Sequence, residues 1–259
     1  MGVSTSVLLA TALALALCLT FTLALRRAWS IPKWLDPAVA LVRALLQLAI
    51  LASVLSVAIT NVAYVFLALL VMLGFGIWTS SRRLGGDART VVLVAISMST
   101  AVAVSVLTVF LTGALSFTGQ NLLAFGGIIT GNAMSVVTLS GRRLSQDVAQ
   151  HWGEIEGWLG LGATNRRAVR DIASRAMREA LIPNVDQTRV TGIVTMPGAF
   201  VGAVFAGASP LEAGRFQLLV LAGIMATGTI AAALIMWGSD PIAAGRPGRA
   251  ENIKDPHVG

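Results

Sequence analysis

Seven apolar runs, each about twenty residues long, dominate this sequence and restrict what it can fold into. They lie at 5–25, 38–59, 62–80, 90–112, 121–140, 188–206 and 213–237. An α-helix needs about 20 apolar residues to cross a bilayer. Only 12% of the residues are charged, about half the share found in soluble domains. The sequence therefore predicts an all-α, polytopic membrane protein with about seven transmembrane helices at 1–238, followed by a flexible cytoplasmic tail at 239–259.

The basic residues lie in alternate connections between these runs. Three follow the first run, three follow the third, seven follow the fifth and three lie in the tail, which together are sixteen of the nineteen Lys and Arg residues. The connections at 60–61, 113–120 and 207–212 contain none. Because Lys and Arg collect in cytoplasmic loops, this pattern predicts an N-terminus outside and a C-terminus inside. It also disfavours nucleic-acid binding, since the net charge of +7 is divided among four separate segments.

Residues with catalytic or metal-binding chemistry are few. The single cysteine, Cys18, and the two histidines lie far apart, so no cluster has the spacing of metal ligands. The only lysines, Lys33 and Lys254, are not part of the Gly-Lys-Ser/Thr sequence that a P-loop requires. We therefore expect no catalytic residues and no cofactor bound by this chain. The apolar runs also contain no deep carboxylate, which argues against a proton-coupled carrier.

The segment 141–187, between the fifth and sixth runs, is the longest charged stretch of the chain. Its first part has apolar residues at helical spacing: Val148, Trp152, Ile155 and Leu159. A Gly-Leu-Gly sequence at 160–162 interrupts this pattern. A second amphipathic helix is predicted from Thr164, and it is expected to end at Pro183 because proline disrupts helices. The pattern therefore predicts a cytoplasmic helix–turn–helix.

The outer face of the second predicted helix is strongly basic. It includes Arg166, Arg167, Arg170, Arg175 and Arg178. Such a face is suited to anionic lipid headgroups, which would hold the helix on the membrane surface. It is equally suited to docking into a groove on a cytosolic ATPase. The sequence alone leaves both hypotheses open.

The fifth and sixth runs are the least regular, because both contain several Gly residues and the sixth contains Pro197. Gly and Pro in membrane helices mark kinks, close packing or unwound backbone beside a cavity, so helix packing and a permeation path are both possible. Arg43, in the second run, either reaches back to the headgroups or lines a polar cavity with Gln47. Asp186 and Arg189 are expected to form an interfacial ion pair where the sixth run begins.

Several stretches resemble the FetB/YbbM family of ABC transporter permeases. They are Arg43-Ala-Leu-Leu-Gln-Leu48, Gly131-Asn-Ala-Met134, Leu161-Gly-Ala-Thr164, Ala180-Leu-Ile-Pro-Asn-Val-Asp186 and Met196-Pro-Gly198 with Phe205-Ala-Gly207. They follow the family's order along nearly the whole chain. The chain departs from the family's Leu-Pro-Gly-Met-Met at Ala199 and Phe200, which removes methionines from the sixth run. Glu156 and Gly162 also match the cytoplasmic loop of ABC importer permeases, although that loop's Ala-Ala pair is absent.

The resemblance implies the membrane-spanning permease subunit of an ABC exporter in a bacterial cytoplasmic membrane. Two copies would work with a separate cytosolic ATPase, which would bind the ATP and Mg. It implies coupling residues at Glu156, Leu161, Gly162, Ala163, Thr164, Arg166, Arg167 and Arg170. The residues expected along the substrate pathway are Arg43, Gln47, Asn132, Met134, Asp186, Met196, Pro197 and Gly198.

The resemblance implies iron or another metal species as the cargo, but the residues leave alternatives. A buried Arg43 would repel a bare cation and suit an anion, such as a metal chelate or a sugar nucleotide. A channel or secondary carrier that works without ATP is a further alternative, in which the charged segment would be a lipid-bound surface element.

Overall fold

The protein is described by a computed structural model that covers residues 5–58 and 61–239. Within these residues it contains nine helices: α1 (Thr5–Ala28), α2 (Asp36–Ala58), α3 (Val62–Arg83), α4 (Ala88–Leu111), α5 (Gly119–Gln150), α6 (Trp152–Gly160), α7 (Asn165–Val190), α8 (Gly198–Phe205) and α9 (Pro210–Gly238). The described part has no β-strand, and its one isolated bridge joins Thr191 to Thr195. The predicted all-α class is confirmed for these residues. Apart from Ser239, the predicted tail lies outside them.

The chain divides into two compact units, of which the first contains α1 and α2. Their connection is held by two arginines at the end of α1. The Arg27 guanidinium lies 5.2 Å from the centre of the Trp34 ring, and Arg26 donates a hydrogen bond to the carbonyl of Lys33. Helix α2 begins at Asp36, followed by Pro37, which is a favoured residue in the first helical turn.

The second unit contains α3 to α9, with α5 at its centre. Helix α5 packs against α3, α4, α7 and α9, and its side chains Phe125, Ile129 and Val137 are completely buried. Gly223 allows α9 to approach α5 closely, because a Cβ added at this glycine would lie 2.6 Å from the Phe125 ring. Small residues at helix contacts have this effect in membrane proteins. Four helices of this unit begin at a residue whose side chain accepts a backbone hydrogen bond: Asn61, Asp87, Thr118 and Ser209.

Five helices in the described part are long and apolar enough to cross a membrane. They are α1, α3, α4, α5 and α9, and they contain five of the seven predicted runs. Helix α2 has 23 residues and contains the second predicted run up to Ala58, with Ile59 outside the described residues. The structure therefore agrees with a polytopic membrane protein, while the total of seven spans remains a prediction.

The sixth predicted run, 188–206, is not a single helix. Helix α7 ends at Val190, a turn follows, and α8 has only eight residues. Eight residues extend about 12 Å, whereas the hydrocarbon core is about 30 Å thick. Gly192 has a φ of +87° and donates its N–H to the carbonyl of Thr195, which closes the turn. Hydropathy alone indicated a span because the turn itself is made of apolar residues.

The predicted end of α7 at Pro183 is wrong, because the helix continues through this proline to Val190. Proline removes one backbone hydrogen bond but leaves the following turn intact when other contacts hold it. The next residue, Asn184, is buried and makes such contacts with two other helices. Tertiary contacts therefore outweigh the local effect of Pro183.

Candidate functional site

Several arginines of α3, α4 and α5 lie near the same end of the second unit. Leu84, after α3, packs against Gly141 of α5, and Leu93, near the start of α4, packs against Gly238 at the end of α9. The Arg166 guanidinium lies 5.4 Å from the centre of the Trp237 ring, so the start of α7 is at the same end. We call this the basic end; it holds Arg82, Arg83, Arg89, Arg142 and Arg143.

Helices α6 and α7 pack together at the basic end through an apolar cluster. Ile155 of α6 is completely buried against Val169 and Ile172 of α7, and the end of α5 contributes Leu144 and Val148. Trp152 and Leu159 are partly buried beside this cluster. The predicted first helix is divided, because α5 continues to Gln150 and α6 begins after His151. The apolar side chains were thus predicted correctly, although they belong to two helices.

The turn between α6 and α7 has a defined shape and an exposed apolar tip. Helix α6 ends at Gly160, and the N–H of Ala163 donates to the carbonyl of Trp158 at 3.0 Å. Gly162 has a φ of +84°, which favours glycine strongly. The side chain of Leu161 is 83% exposed, although it is apolar. The turn therefore presents one leucine to whatever lies beyond the basic end.

One face of α6 is open as well as exposed. A Cβ added at Gly153, Gly157 or Gly160 would have no atom within 4 Å. Beside these glycines, the Glu156 carboxylate accepts a hydrogen bond from the Trp152 indole at 2.7 Å. We call the surface formed by these glycines and the turn at 161–164 the α6 surface.

The predicted coupling residues are brought together only in part. Leu161, Gly162, Ala163 and Thr164 form the single turn described above, and Glu156 lies on α6 just before it. Arg167 and Arg170 are exposed on α7, next to this turn. Arg166 instead lies over the Trp237 ring of α9. The contact between Arg166 and Trp237 holds the start of α7 against α9.

A pair of asparagines joins α5, α7 and α9 in the interior of the second unit. Asn132 donates a hydrogen bond to the Asn184 side-chain oxygen at 2.9 Å, and Asn184 donates in return at 3.3 Å. Asn184 also lies 3.5 Å from the carbonyl of Ile224, so its amide reaches α9. Sequence reasoning selected Asn132 but not Asn184, because a pairing across 52 positions leaves no local pattern.

This asparagine pair lies at the middle depth of the apolar helices. Ile224 is the central residue of α9, and Asn132 lies in the middle part of the predicted fifth run. From Asn132, the first arginine of the basic end, Arg142, is ten residues away along α5, or about 15 Å. That distance is about half the thickness of a hydrocarbon core.

The predicted ion pair between Asp186 and Arg189 is present near the end of α7. The Arg189 Nη1 atom is 3.6 Å from the Asp186 Oδ1 atom, so the pair itself is present. However, both residues follow Asn184 on α7, and Arg189 is at most about 8 Å beyond it along the helix. Their side chains are 74% and 59% exposed.

The other predicted pathway residues lie in three different settings. Met134 is partly buried and packs against the cluster of α4 and α5 that contains Met98. Met196 is exposed in the turn before α8, where Pro197 and Gly198 begin that helix. Arg43 and Gln47 lie one turn apart on α2, and both are exposed. Within residues 5–58 and 61–239, no group of three His, Cys, Asp or Glu side chains is placed to hold a metal ion.

These features define a multi-pass α-helical membrane protein with a folded α6–α7 element at its basic end. Comparison with known proteins gives the family. The chain belongs to the membrane protein family UPF0014, described as an uncharacterised protein family, whose sequence profile matches residues 7–241. That match covers almost all of the chain.

Relatives of this chain occur in plants and bacteria. It is 32% identical to the rice UPF0014 membrane protein STAR2 over 197 residues, which cover 75% of this chain and 69% of the rice protein. It is 28% identical to ALUMINUM SENSITIVE 3 of Arabidopsis thaliana, over 76% of this chain and 74% of that protein. It is also 28% identical to the probable iron export permease protein FetB of Escherichia coli, over 73% of each chain. No solved structure matches this chain.

Proposed function

We propose that this chain is the membrane-spanning permease subunit of an ABC exporter in a bacterial cytoplasmic membrane. Two copies would work with a separate cytosolic ATPase that binds ATP and Mg. The observation that carries the proposal is the continuity of α7. This helix of 26 residues, about 39 Å long, runs from the exposed turn at 161–164 to the asparagine pair and the ion pair of Asp186 and Arg189. One continuous helix would therefore connect the proposed docking surface with the membrane interior.

The α6 surface favours docking of a protein over binding to lipid headgroups. Headgroup binding would use basic side chains and could bury the exposed Leu161, but it gives no role to the three open glycines of α6. A glycine face allows a partner to approach the α6 backbone closely, and Leu161 provides an apolar anchor of the kind found in interface centres. Arg167 and Arg170 lie beside the turn and would favour an acidic groove.

The proposed mechanism starts with a movement of the α6–α7 turn. When the ATPase dimer closes on ATP, it would pull on the α6–α7 turn, which the buried cluster around Ile155 fixes to α7. Helix α7 would transmit this movement to Asn184 and to the turn that follows Val190. A movement of a broken helix around a central site is a common basis of alternating access.

The cargo that we propose is iron or another metal species, on the basis of the FetB relative's name. A second candidate is an anion, such as a metal chelate or a sugar nucleotide. The guanidinium of Arg43, exposed on α2 one turn before Gln47, would repel a bare cation and favours this second candidate. Uptake by sealed inside-out vesicles, supplied separately with ferrous iron, ferric citrate and UDP-glucose, distinguishes the two.

Substitution of Gly157 tests the docking surface without changing the fold. Gly157→Ala should fold at least as well as the parent, because the added Cβ meets no atom and alanine favours helix by up to about 1 kcal/mol. Gly157→Gln should also fold, but it should reduce the amount of ATPase that copurifies by about tenfold, which corresponds to 1.4 kcal/mol. Copurification with the coexpressed ATPase measures this effect.

The matched control is Ser174→Gln, which places the same side chain on an exposed part of α7. We expect this variant to retain the ATPase. If Gly157→Gln retains as much ATPase as the control, the α6 surface is not where the partner docks. If the parent chain retains no ATPase but still transports, the carrier or channel hypothesis replaces the proposal.

The proposal also places the basic end in the cytoplasm. Cys18 is the only cysteine, so Cys18→Ser provides a background in which a single new thiol can be labelled. In intact cells, a membrane-impermeant maleimide should not label Leu161→Cys, whereas it should label Gly113→Cys in the connection after α4. Permeabilised cells should give labelling of both. Labelling of Leu161→Cys in intact cells would reverse the proposed orientation.

A further inference from the structure

We propose that a groove between α4 and α9 binds a phospholipid, with one acyl chain in the groove and the headgroup phosphate on Arg215. The groove lies in the half of the second unit that is opposite the basic end, away from the α6 surface. The inference goes beyond the proposed transport function, because it depends on neither the cargo nor the ATPase.

The groove is a cavity of about 240 Å³ where α4 meets α9. Each helix contributes a row of side chains spaced about one turn apart: Val104, Thr108 and Thr112 on α4, and Leu219, Ala222 and Ala226 on α9. The two alanines are exposed, so their small side chains leave the groove open. Apolar cavities of only about 150 Å³ can bind benzene. The groove therefore has room for part of an acyl chain.

The hydroxyl groups that line the groove already have hydrogen-bond partners. The Thr108 hydroxyl donates to the carbonyl of Val104 at 2.8 Å, and the Thr112 hydroxyl donates to the carbonyl of Thr108 at 2.8 Å. Ser105 accepts a hydrogen bond of 2.6 Å from Thr227, and both of these side chains are buried. Because apolar cavities exclude water, the ligand that suits this groove is apolar.

The position of the groove along α9 matches one leaflet of a bilayer. Helix α9 is long and apolar enough to cross a membrane, and Ile224 is its central residue. Arg215 lies nine residues before this centre, which is about 14 Å along the helix. Half of a hydrocarbon core is about 15 Å thick. With α9 centred in the bilayer, a chain that begins near Arg215 follows the groove to the middle of the membrane.

Arg215 provides the positive charge that a lipid phosphate needs. Its side chain is exposed, and it lies one turn before Leu219 in the same row on α9. No carboxylate of residues 5–58 or 61–239 forms an ion pair with it. A guanidinium binds phosphate strongly, because it can donate two parallel hydrogen bonds. The phosphate of a lipid whose chain lies in the groove would be at this depth.

Glu212 gives the site a preference among headgroups. It lies one turn before Arg215 and is also exposed, and its carboxylate accepts a hydrogen bond from Ser209 at 3.1 Å. A carboxylate beside the phosphate site repels a headgroup of net negative charge and attracts one that carries an ammonium group. The site therefore fits a zwitterionic lipid such as phosphatidylethanolamine better than it fits phosphatidylglycerol.

The first unit is less suited than a phospholipid to cover this site. Within residues 5–58 the only acidic residue is Asp36, and the connection before it contains Arg26 and Arg27. The described part of the first unit thus has no segment of net negative charge to place against Arg215. A phospholipid supplies both the anion and the apolar chain.

Photochemical labelling tests the site in the full-length chain. The purified protein is placed in phosphatidylcholine vesicles that contain a small fraction of phosphatidylethanolamine with a diazirine at the middle of one acyl chain. After irradiation, mass spectrometry locates the labelled residues. We expect about fivefold more label on the groove residues than on the exposed face of α3 around Leu70, because a chain held in a groove has a higher effective concentration.

A variant that fills the groove provides the first control. Ala226→Leu should reduce the label in the groove to the level on α3, because the larger side chain occupies the space of the acyl chain. Ala103→Leu makes the same change at an exposed position of α4 outside the groove and should leave the label unchanged. Both variants should fold, since each alanine is exposed and leucine favours helix nearly as well. Thermal unfolding checks this.

Competition by unlabelled lipid tests the headgroup contacts. In the parent chain, phosphatidylethanolamine should displace the labelled lipid at a lower concentration than phosphatidylglycerol. Arg215→Gln should weaken binding about fivefold, which corresponds to the 1 kcal/mol typical of one basic residue near a membrane surface. Arg215→Lys should retain most of the binding. Glu212→Gln should remove the disadvantage of phosphatidylglycerol.

The possible results decide each part of the inference. If the groove of the parent chain carries no more label than α3, or if Ala226→Leu leaves the label unchanged, no lipid chain occupies the groove. A segment of the first unit or another protein would then cover it. If Ala226→Leu removes the label but Arg215→Gln does not weaken binding, the assignment of the phosphate to Arg215 is wrong. None of these results changes the copurification of the ATPase, which tests the permease proposal separately.

Discussion

Gly228→Ala is expected to destabilise the protein by about 1–3 kcal/mol, which is the usual cost of overfilling a packed interior. The added Cβ would lie 2.6 Å from the Asn184 amide nitrogen and 3.4 Å from the Asn132 side-chain oxygen. The Asn184 amide cannot move away freely, because its hydrogen bonds with Asn132 hold it. Thermal unfolding in detergent, followed by the fluorescence of the six tryptophans, measures the change.

Gly131→Ala is the matched control for this experiment. Gly131 lies on α5, directly before Asn132, but a Cβ added there has no atom within 4 Å. The control should therefore unfold at the parent temperature or slightly above it, because alanine favours helix. Equal unfolding temperatures for the two alanine variants would show that the asparagine pair does not lie against α9 as described.

The sequence was sufficient to predict helices that are defined by a continuous run of apolar residues. The long runs in α1, α3, α4, α5 and α9 were found because a span needs only length and hydropathy. The end of α6 at Gly160 was also predicted, since a Gly-Leu-Gly sequence disfavours helix and supplies the positive φ at Gly162. Because these features depend on residues that are close together in the chain, they can be predicted from the sequence pattern.

Features that depend on distant residues were missed. Helix α7 was expected to end at Pro183, but it continues because Asn184 bonds to a residue 52 positions earlier. The break after Val190 was hidden because the turn has apolar side chains, and hydropathy does not separate an apolar turn from an apolar helix. As a result, it became apparent only in the structure that Asp186 and Arg189 lie on the same continuous helix as the basic segment after Thr164.

The predicted functional residues divide in the same way. Leu161 to Thr164 form one short turn, so their common position followed from adjacency in the sequence. Met134 and Met196 were selected together as pathway residues, but one is in a packed core and the other is exposed in a turn. Side-chain type alone does not distinguish these settings. The structure adds Asn184, the partner of Asn132, to the residues that the sequence indicated.

Asn184→Leu is expected to reduce transport strongly while the ATPase stays bound. It removes the hydrogen bonds that join α7 to α5 and leaves the Asn132 amide without its partner in an apolar interior, which costs about 1–3 kcal/mol. The α6 surface is far from this position and should still bind the ATPase. Transport should therefore decrease by about tenfold, because 1.4 kcal/mol of lost coupling corresponds to that factor, while copurified ATPase remains at the parent level.

A double-mutant cycle with Asn132→Leu distinguishes a specific pairing from a general loss of polarity. If the two amides depend on each other, the double variant should be less destabilised than the sum of the single variants, by about 0.6–1.7 kcal/mol as found for hydrogen bonds between membrane helices. Independent roles would give additive changes in unfolding free energy. Because α7 connects the turn at 161–164 to the asparagine pair, additive stability with unchanged transport would contradict the coupling role that we propose for this helix.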